Sequence, residues 1–334
     1  MIDIEKPAEL RTFLNHHRLI MEHESLGFKI LHGGVSNRAI LVERNSGPNW
    51  VFKQALNKLR VETDWFCSTA RIHQEAKALR WLKQIIPDNV PSLVWEDKDN
   101  QILGMTEVPT PHTNWKTDLL NGTIDLEQVN TFARLLAKLH DATEQHPQLK
   151  EAFREYSYFE SLRLDPYYAY TASQVPEASN FLDRLINETK SRKQALVHGD
   201  YSPKNVLIHN HQMFILDYEV MHIGDPAFDL GFSLTHFLSK AHAQPKYRNL
   251  FFQAALNYWD TYSKAIKEPR DQLEHMTIKH TLACMLARVC GRSQLEYLNQ
   301  IQKDQQKQAV LSAMSTFPVT LKALIEKLQN TFKG

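Results

Sequence analysis

The stretch Ala195–Glu219 reads ALVHGDYSPKNVLIHNHQMFILDYE. An apolar run ends at His198, Gly199 and Asp200, and four residues separate Asp200 from Asn205. The apolar run VLIH follows, then the polar corner His209-Asn210-His211, then a second apolar run that delivers Asp217. Short apolar runs bounded by turn formers read as strands, and the His-Asn-His corner reads as a hairpin turn rather than a metal site. Two carboxylates and one amide are thereby brought to the ends of adjacent short strands. Asp and Asn are common turn formers, so each residue alone fits a plain turn. The whole constellation does not.

This set matches the needs of phosphoryl transfer: one carboxylate orients an attacking hydroxyl, while a second carboxylate and an amide oxygen hold magnesium. An Asp, four residues, an Asn and an Asp on the next hairpin is the spacing of kinase catalytic and metal loops. Here HGD stands where protein kinases have HRD, and DYE where they have DFG. HGDxxxxN followed by an apolar strand and Asp resembles the aminoglycoside phosphotransferase and choline kinase group. The resemblance implies Asp200 as catalytic base, Asn205 and Asp217 as magnesium ligands, and His198 as a support of the loop. In IGDPAFDLGFSL, Asp225 and Pro226 make a turn and Asp229 begins an amphipathic helix. The resemblance assigns Asp229 to bracing the catalytic loop, and an acid there also suits the helix macrodipole.

Upstream, FKILHGGVSNRAILVE and WVFKQAL read as a strand, Gly-rich turn, strand, turn, strand meander. Alternation puts Val51 and Lys53 on one face of the third strand and Phe52 and Gln54 on the other. A helix from about Ser68 to Ile86 follows, capped by Ser68 or Thr69, with Glu75 on the same stripe as Ile72 and Leu79. A charge on an apolar stripe needs a partner, and a Lys53–Glu75 pair reaching ATP phosphates is what a kinase lobe requires. Gly33, Gly34, Ser36 and Asn37 would form the loop over the phosphates, where small residues let backbone amides approach. The hinge for the adenine edge is expected near Met105–Val108, with Glu107 and Val108 supplying backbone groups. A helix over about residues 5–24 precedes this meander, and VNTFARLLAKLHDAT reads as an amphipathic helix after it.

Further segments resemble methylthioribose kinases: KQALNKLR from Lys53, ARIHQEAKAL from Ala70, and MLARVCGRSQLEYL from Met285. The last resembles an element in which a pair of arginines handles the sugar. This chain has Ala287 and Arg288 where two arginines are expected, so Arg288 and Arg292 are the substrate candidates, with Trp115 or Tyr201 as walls; one helical turn apart, the two arginines equally fit a plain solvated face. The DYE resembles that family's D-x-E and would make Glu219 an auxiliary metal-site residue. Asn205 stands where those kinases tend to carry serine.

The 334 residues suit two lobes. The expected fold is α+β and protein-kinase-like: a small antiparallel-sheet lobe over residues 1–108 and a larger, mainly helical lobe over 109–334, divided at Pro109 and Pro111. The formal net charge of +1 gives no basic excess for nucleic acid or anionic membrane, and no apolar run reaches bilayer length. The start MIDIEKPAEL lacks the basic and apolar stretches of a signal peptide, so a cytoplasmic place is expected. Cys67, Cys284 and Cys290 form no C-x-x-C pair and read as free thiols. The reading is an ATP- and Mg2+-dependent kinase of a small-molecule hydroxyl, whose acceptor is a sugar, amino alcohol or aminoglycoside-like molecule with a methylthioribose-like sugar as one candidate, and it leaves a homodimer open. A non-catalytic nucleotide-binding scaffold is the alternative. Such scaffolds usually lose the base, the metal aspartate or the lysine, and all three residues are present.

Overall fold

The computed structural model describes residues 2–32, 34–61, 64–267 and 270–332. The chain divides into two compact units, Met1–His112 with Phe214–Val220, and Thr113–Met213 with Met221–Gly334.

The first unit is built on an antiparallel sheet. Its helices are α1 (Pro7–His16) and α2 (Arg71–Ile85), and its strands β1 (Leu26–Ile30), β2 (Asn37–Arg44), β3 (Trp50–Ala55), β4 (Leu93–Asp97) and β5 (Ile102–Thr106). The strand order is β1-β2-β3-β5-β4. Leu10, Phe13 and Leu14 of α1 join Ile40, Val42, Trp50, Phe52 and Ile102 in one buried cluster. The helix expected over 5–24 is therefore shorter. Arg18 takes a left-handed conformation (φ 54°) and the Leu19 amide bonds back to the Leu14 carbonyl, which ends the helix and turns the chain. The cap of α2 also differs from expectation. Ala70 occupies the N-cap without a side-chain bond, because the Ser68 hydroxyl is spent on the Ala70 amide outside the helix.

The second unit is mainly helical. It runs through β6 (Thr113–Asn114), α3 (Trp115–Leu120), α4 (Leu126–Gln145), α5 (Leu149–Ala152), α6 (Ser157–Phe159), a π-helical segment Glu160–Ala169, α7 (Tyr170–Gln174), α8 (Pro176–Ser191) and β7 (Ala195–Val197). The hairpin β8 (Val206–His209) and β9 (Gln212–Ile215), of which Phe214 and Ile215 belong to the first unit, and the strand β10 (His222–Gly224) follow. The chain closes with α9 (Pro226–Ala243), α10 (Arg248–Ala265), α11 (Arg270–Cys290), α12 (Gln300–Ser315) and α13 (Leu321–Phe332). In α4 the expected stripe Val129, Phe132, Leu135, Leu136 and Leu139 is buried, and Asp125 caps the helix through the Glu127 amide, a bond worth about 1 kcal/mol.

The helix expected to be amphipathic from Asp229 is instead buried on all sides from Pro226 to His242. Its apolar stripe is joined by Ser, Thr, His and Lys side chains that are also inside. Gly231 permits this, since a Cβ there would meet the His280 backbone of α11 at 2.7 Å. Asn210 and His211 both have positive φ, the pattern of a two-residue hairpin turn, as the sequence predicts. Cys67, Cys284 and Cys290 are free thiols. No helix among the described residues is long and apolar enough to cross a membrane.

Candidate active site

Two constellations of charged side chains stand out, one in each unit. In the first, β3 places Lys53 beside α2. Its ammonium lies 2.7 Å from Glu75 Oε1 and 3.1 Å from Asp217 Oδ1. Burial alone would lower the lysine's pKa, but Asp217 and Glu75 outweigh it and hold the ammonium above its ordinary range. Burial pushes the Glu75 carboxyl up to about 7, against the pull of Lys53 and with the push of Asp217. Asp217 itself sits in the left-handed region (φ 72°), a conformation that costs a non-glycine residue about 1–2 kcal/mol.

Glu219, two residues on, is buried, and its Oε2 accepts from Arg71 Nε (3.0 Å) and from Asn37 Nδ2 (2.9 Å). Arg71 is fully buried. Besides Glu219, its guanidinium bonds the carbonyls of Ser36, Leu56, Cys67 and Ser68. It thus ties the turn before β2 and the approach to α2 to the Asp217–Glu219 segment. Sequence reasoning missed Arg71. The only available signal was an arginine one residue before the apolar stripe of α2.

Of the expected phosphate loop, Gly33 lies outside the described residues. A Cβ on Gly34 would meet the Asn37 carbonyl oxygen at 3.8 Å, an ordinary contact, and the Ser36 hydroxyl accepts from the Asn37 side chain. At the expected hinge, Glu107 uses its own amide on the Asn49 carbonyl and its carboxylate on the Asn49 side chain. The Glu107 carbonyl and the Val108 amide have no backbone partner among the described residues.

In the second unit the loop after β7 carries the other constellation. Gly199 has φ 79°, a turn that a side chain would strain. Asp229, at the start of α9, accepts from the His198 amide (2.7 Å), the Gly199 amide (2.8 Å) and His140 Nε2 (3.1 Å). Burial would raise its pKa, but the His140 bond and the adjoining donors hold it below the usual carboxylate range. His198 is fully buried, and its Nδ1 accepts from the Asp200 amide. Asp200 then receives Asn205 Nδ2 (2.7 Å) and an Arg163 guanidinium nitrogen (3.0 Å), both on Oδ2. Its Oδ1 has no hydrogen bond among the described residues. Asn205 spends its amide nitrogen on Asp200, once on the carboxylate and once on the carbonyl, which leaves the amide oxygen free to meet a cation.

Arg163 and His140 were also missed. Arg163 sits in the π-helical segment and bonds the Gly199 carbonyl as well. Nothing in LRLDPYYAY marks its arginine as inward.

Two expected walls are core residues instead. Trp115 is fully buried against Phe132 and Phe237, and Tyr201 stacks on Phe132 and bonds its carbonyl. Arg288 and Arg292 do not share a helical face, since α11 ends at Cys290. Arg288 turns to Ser293 and the Tyr167 hydroxyl, while Arg292 lies over the Tyr170 ring.

The fold and these two constellations define a chain of the protein-kinase-like class. It belongs to the phosphotransferase enzyme family, whose sequence profile matches residues 27–264. Among curated proteins it is similar to methylthioribose kinase 2 of Oryza sativa subsp. japonica, with 25% identity over 288 residues. The match covers 73% of this chain and 66% of that protein, so the chain spans just under two thirds of that relative's length. Among solved structures it is similar to an amicoumacin kinase in complex with AMP-PNP, Ca2+ and Ami, with TM-score 0.62 and 13% identity over 93% of this chain and 95% of that one. It is likewise similar to a choline/ethanolamine kinase family protein from Mesorhizobium loti, with TM-score 0.59 and 15% identity over 97% and 99% of the two chains.

Proposed function

We propose that the protein is an ATP- and Mg2+-dependent kinase that phosphorylates a hydroxyl of a small molecule in the cytoplasm. The observation that carries this reading is the state of Asp200. One carboxylate oxygen is pinned by Asn205 and Arg163, and the loop beneath is held by Asp229 through two backbone amides. The other oxygen is left to accept the proton of an acceptor hydroxyl.

Asp200 is the base. Lys53 positions the phosphates and Glu75 positions Lys53. Gly33, Gly34, Ser36 and Asn37 cover the phosphates, and Glu107 and Val108 meet the adenine edge. Asp217 and Asn205 are the magnesium donors. Their hard oxygens suit an ion that leans on one or two side chains and completes its shell with phosphate and water. Bound magnesium supplies charge neutralisation at the transferring phosphoryl group. His198 and Asp229 are positioning residues for the loop, and Glu219, bonded by Arg71, steadies the segment that carries Asp217. Arg288 and Arg292 belong to the acceptor side. Most of the rate gain comes from alignment and charge stabilisation. The family and the kinases to which the chain is similar support the reading.

The test is ADP release from Mg-ATP by the purified protein against methylthioribose, free pentoses, choline, ethanolamine, homoserine and aminoglycosides, with Asp200→Asn as the blank. A signal that needs an acceptor and vanishes in the blank is expected. ATP binding without release for any acceptor would favour a non-catalytic nucleotide-binding scaffold.

A further inference from the structure

Lys240 lies on α9 with no exposed surface. Its ammonium makes one long hydrogen bond, 3.4 Å to the His236 carbonyl one turn earlier, and no carboxylate pairs with it among the described residues. The Tyr297 ring lies 5.1 Å away, a cation–π contact at the outer limit of useful range. Burying an unpaired ammonium is disfavoured. Burial pushes this one down to about 7, Lys116 and Arg288 push the same way, and Glu296 opposes them.

The neighbouring His236 tells the same story. Burial holds it neutral, reinforced by the positive charges of Lys240, Arg288, Lys116 and Lys204. The one acid that bears on Lys240, Glu296, is already bonded to Lys116. Among the described residues Arg288 hydrogen-bonds only the neutral Ser293 and Tyr167, its charge also bears on Glu296, and its buried Nε is unpartnered. The cations therefore outnumber the anions. Their run also begins at the catalytic loop. Lys204 lies between Asp200 and Asn205, and the guanidinium carbons of Arg163 and Arg288 each lie 5.8 Å from the Tyr167 ring centre.

We infer that this is an anion subsite: the acceptor carries a carboxylate or phosphate group, received by Lys240 and Arg288 with Lys116 and Lys204 adding field. The inference rests on the kinase reading for the word acceptor. It excludes a polycationic substrate, which these side chains would repel, and it ranks a plain sugar or amino alcohol below its acidic counterpart.

Matched probes test it. Glycerate and glycerol 3-phosphate are titrated against glycerol, and ribonate and ribose 5-phosphate against ribose, by calorimetry with saturating Mg-AMP-PNP occupying the nucleotide site. The wild-type protein is expected to bind at least one class of anion about 10-fold or more tighter than its neutral counterpart. The stronger class tells carboxylate from phosphate. Lys240→Met should remove that preference. Anion binding to the wild type should also take up protons near neutral pH, read as a buffer-dependent enthalpy, which a merely structural lysine would not give. Arg288→Gln serves as the second variant and should weaken the preference about 3-fold or more.

Equal affinity for acidic and neutral probes overturns the inference. So does no anion binding up to about 20 mM, or a preference that survives in the variants. ADP release that treats glycerol and ribose as well as their acidic counterparts overturns the subsite and leaves the kinase standing. Anion binding that depends on Lys240, without ADP release from any acceptor, overturns the kinase and leaves the subsite.

Discussion

The first unit half-buries one lysine and the second buries another completely, and the two are treated in opposite ways. Lys53, on the sheet of the first unit, lies between the carboxylates of Glu75 and Asp217 and is held above its ordinary range. Lys240, on α9 of the second unit, has a single backbone carbonyl and is pushed down to about 7 by burial. Burial by itself disfavours either ammonium. The difference is made by what surrounds them: a surplus of carboxylates in one case, a surplus of cations in the other. The first arrangement is complete without a ligand, and in the proposed reading it exchanges one anion for another when a phosphate arrives. The second is incomplete until an anion comes. In the functional reading, nucleotide chemistry belongs to the first surrounding, and Asp200 with the acceptor belongs to the second.

The largest expected effect separates those two duties. Asp200→Asn should lower kcat by about 10^3- to 10^4-fold, while ATP affinity stays within about 3-fold, because the carboxylate of Asp200 is held by Arg163 and Asn205 and in the proposed reading serves the acceptor hydroxyl. Single-turnover assays and nucleotide titration check it. A parallel loss of ATP affinity would break the division of labour.

Next comes the lysine of the first unit. Lys53→Met leaves Glu75 buried with one oxygen already lacking a partner, and removing one member of a buried pair costs about 3–5 kcal/mol. Urea denaturation should show that loss, with a raised KM for ATP in whatever remains folded. Unchanged stability would mean that Glu75 takes a proton and escapes the penalty, a route its raised pKa of about 7 leaves open. Repeating the urea denaturation at pH 6 and pH 8.5 distinguishes the two, since Lys53 no longer holds the Glu75 pKa down in the variant and proton uptake by Glu75 relieves the loss more at the lower pH.

Arg71 offers a smaller test of the same region. Arg71→Lys keeps a charge for Glu219 but cannot reach the four carbonyls that the planar guanidinium now serves. A loss of about 2 kcal/mol is expected, read by urea denaturation, with a shifted Mg2+ dependence of activity as the sign that the Asp217–Glu219 segment has moved. A stability loss with unchanged Mg2+ dependence would make Arg71 purely structural.

The strands and turns around Asp200 and Asp217 were legible because apolar runs and turn residues there are short, alternating and unambiguous. Lys53 and Glu75 were legible as a pair because each is a charge among apolar neighbours on a periodic element. What pattern could not supply was the inward charge on elements without clean periodicity. Arg163 lies in a π-helical segment around Pro166, where helical spacing does not apply. Arg71 sits a single residue before its stripe. Lys240 and His236 lie on a helix buried all round, where a moment-based reading expects a wet face. The early end of α1 depends on one left-handed arginine, a state that no residue type announces except glycine and asparagine.

The smallest expected effect has the opposite sign from the lysine of the first unit. Lys240 titrates at about 7 when folded and at about 10.4 when unfolded. Between those values the unfolded chain holds more protons, so the wild-type protein gains stability as pH rises from about 7 towards 10, and below about 7 it carries the full cost of the buried ammonium. Lys240→Met replaces that ammonium with an apolar chain of similar length. It should therefore stabilise the free protein at pH 6 by about 1–2 kcal/mol, and the gain should shrink by pH 9. Urea denaturation at the two pH values reads it directly. The same substitution thus weakens one unit and strengthens the other, which is the sharpest form of the contrast. A loss of stability at pH 6 would show that Glu296 leaves Lys116 and pairs with Lys240 in solution, and the two lysines would then be alike.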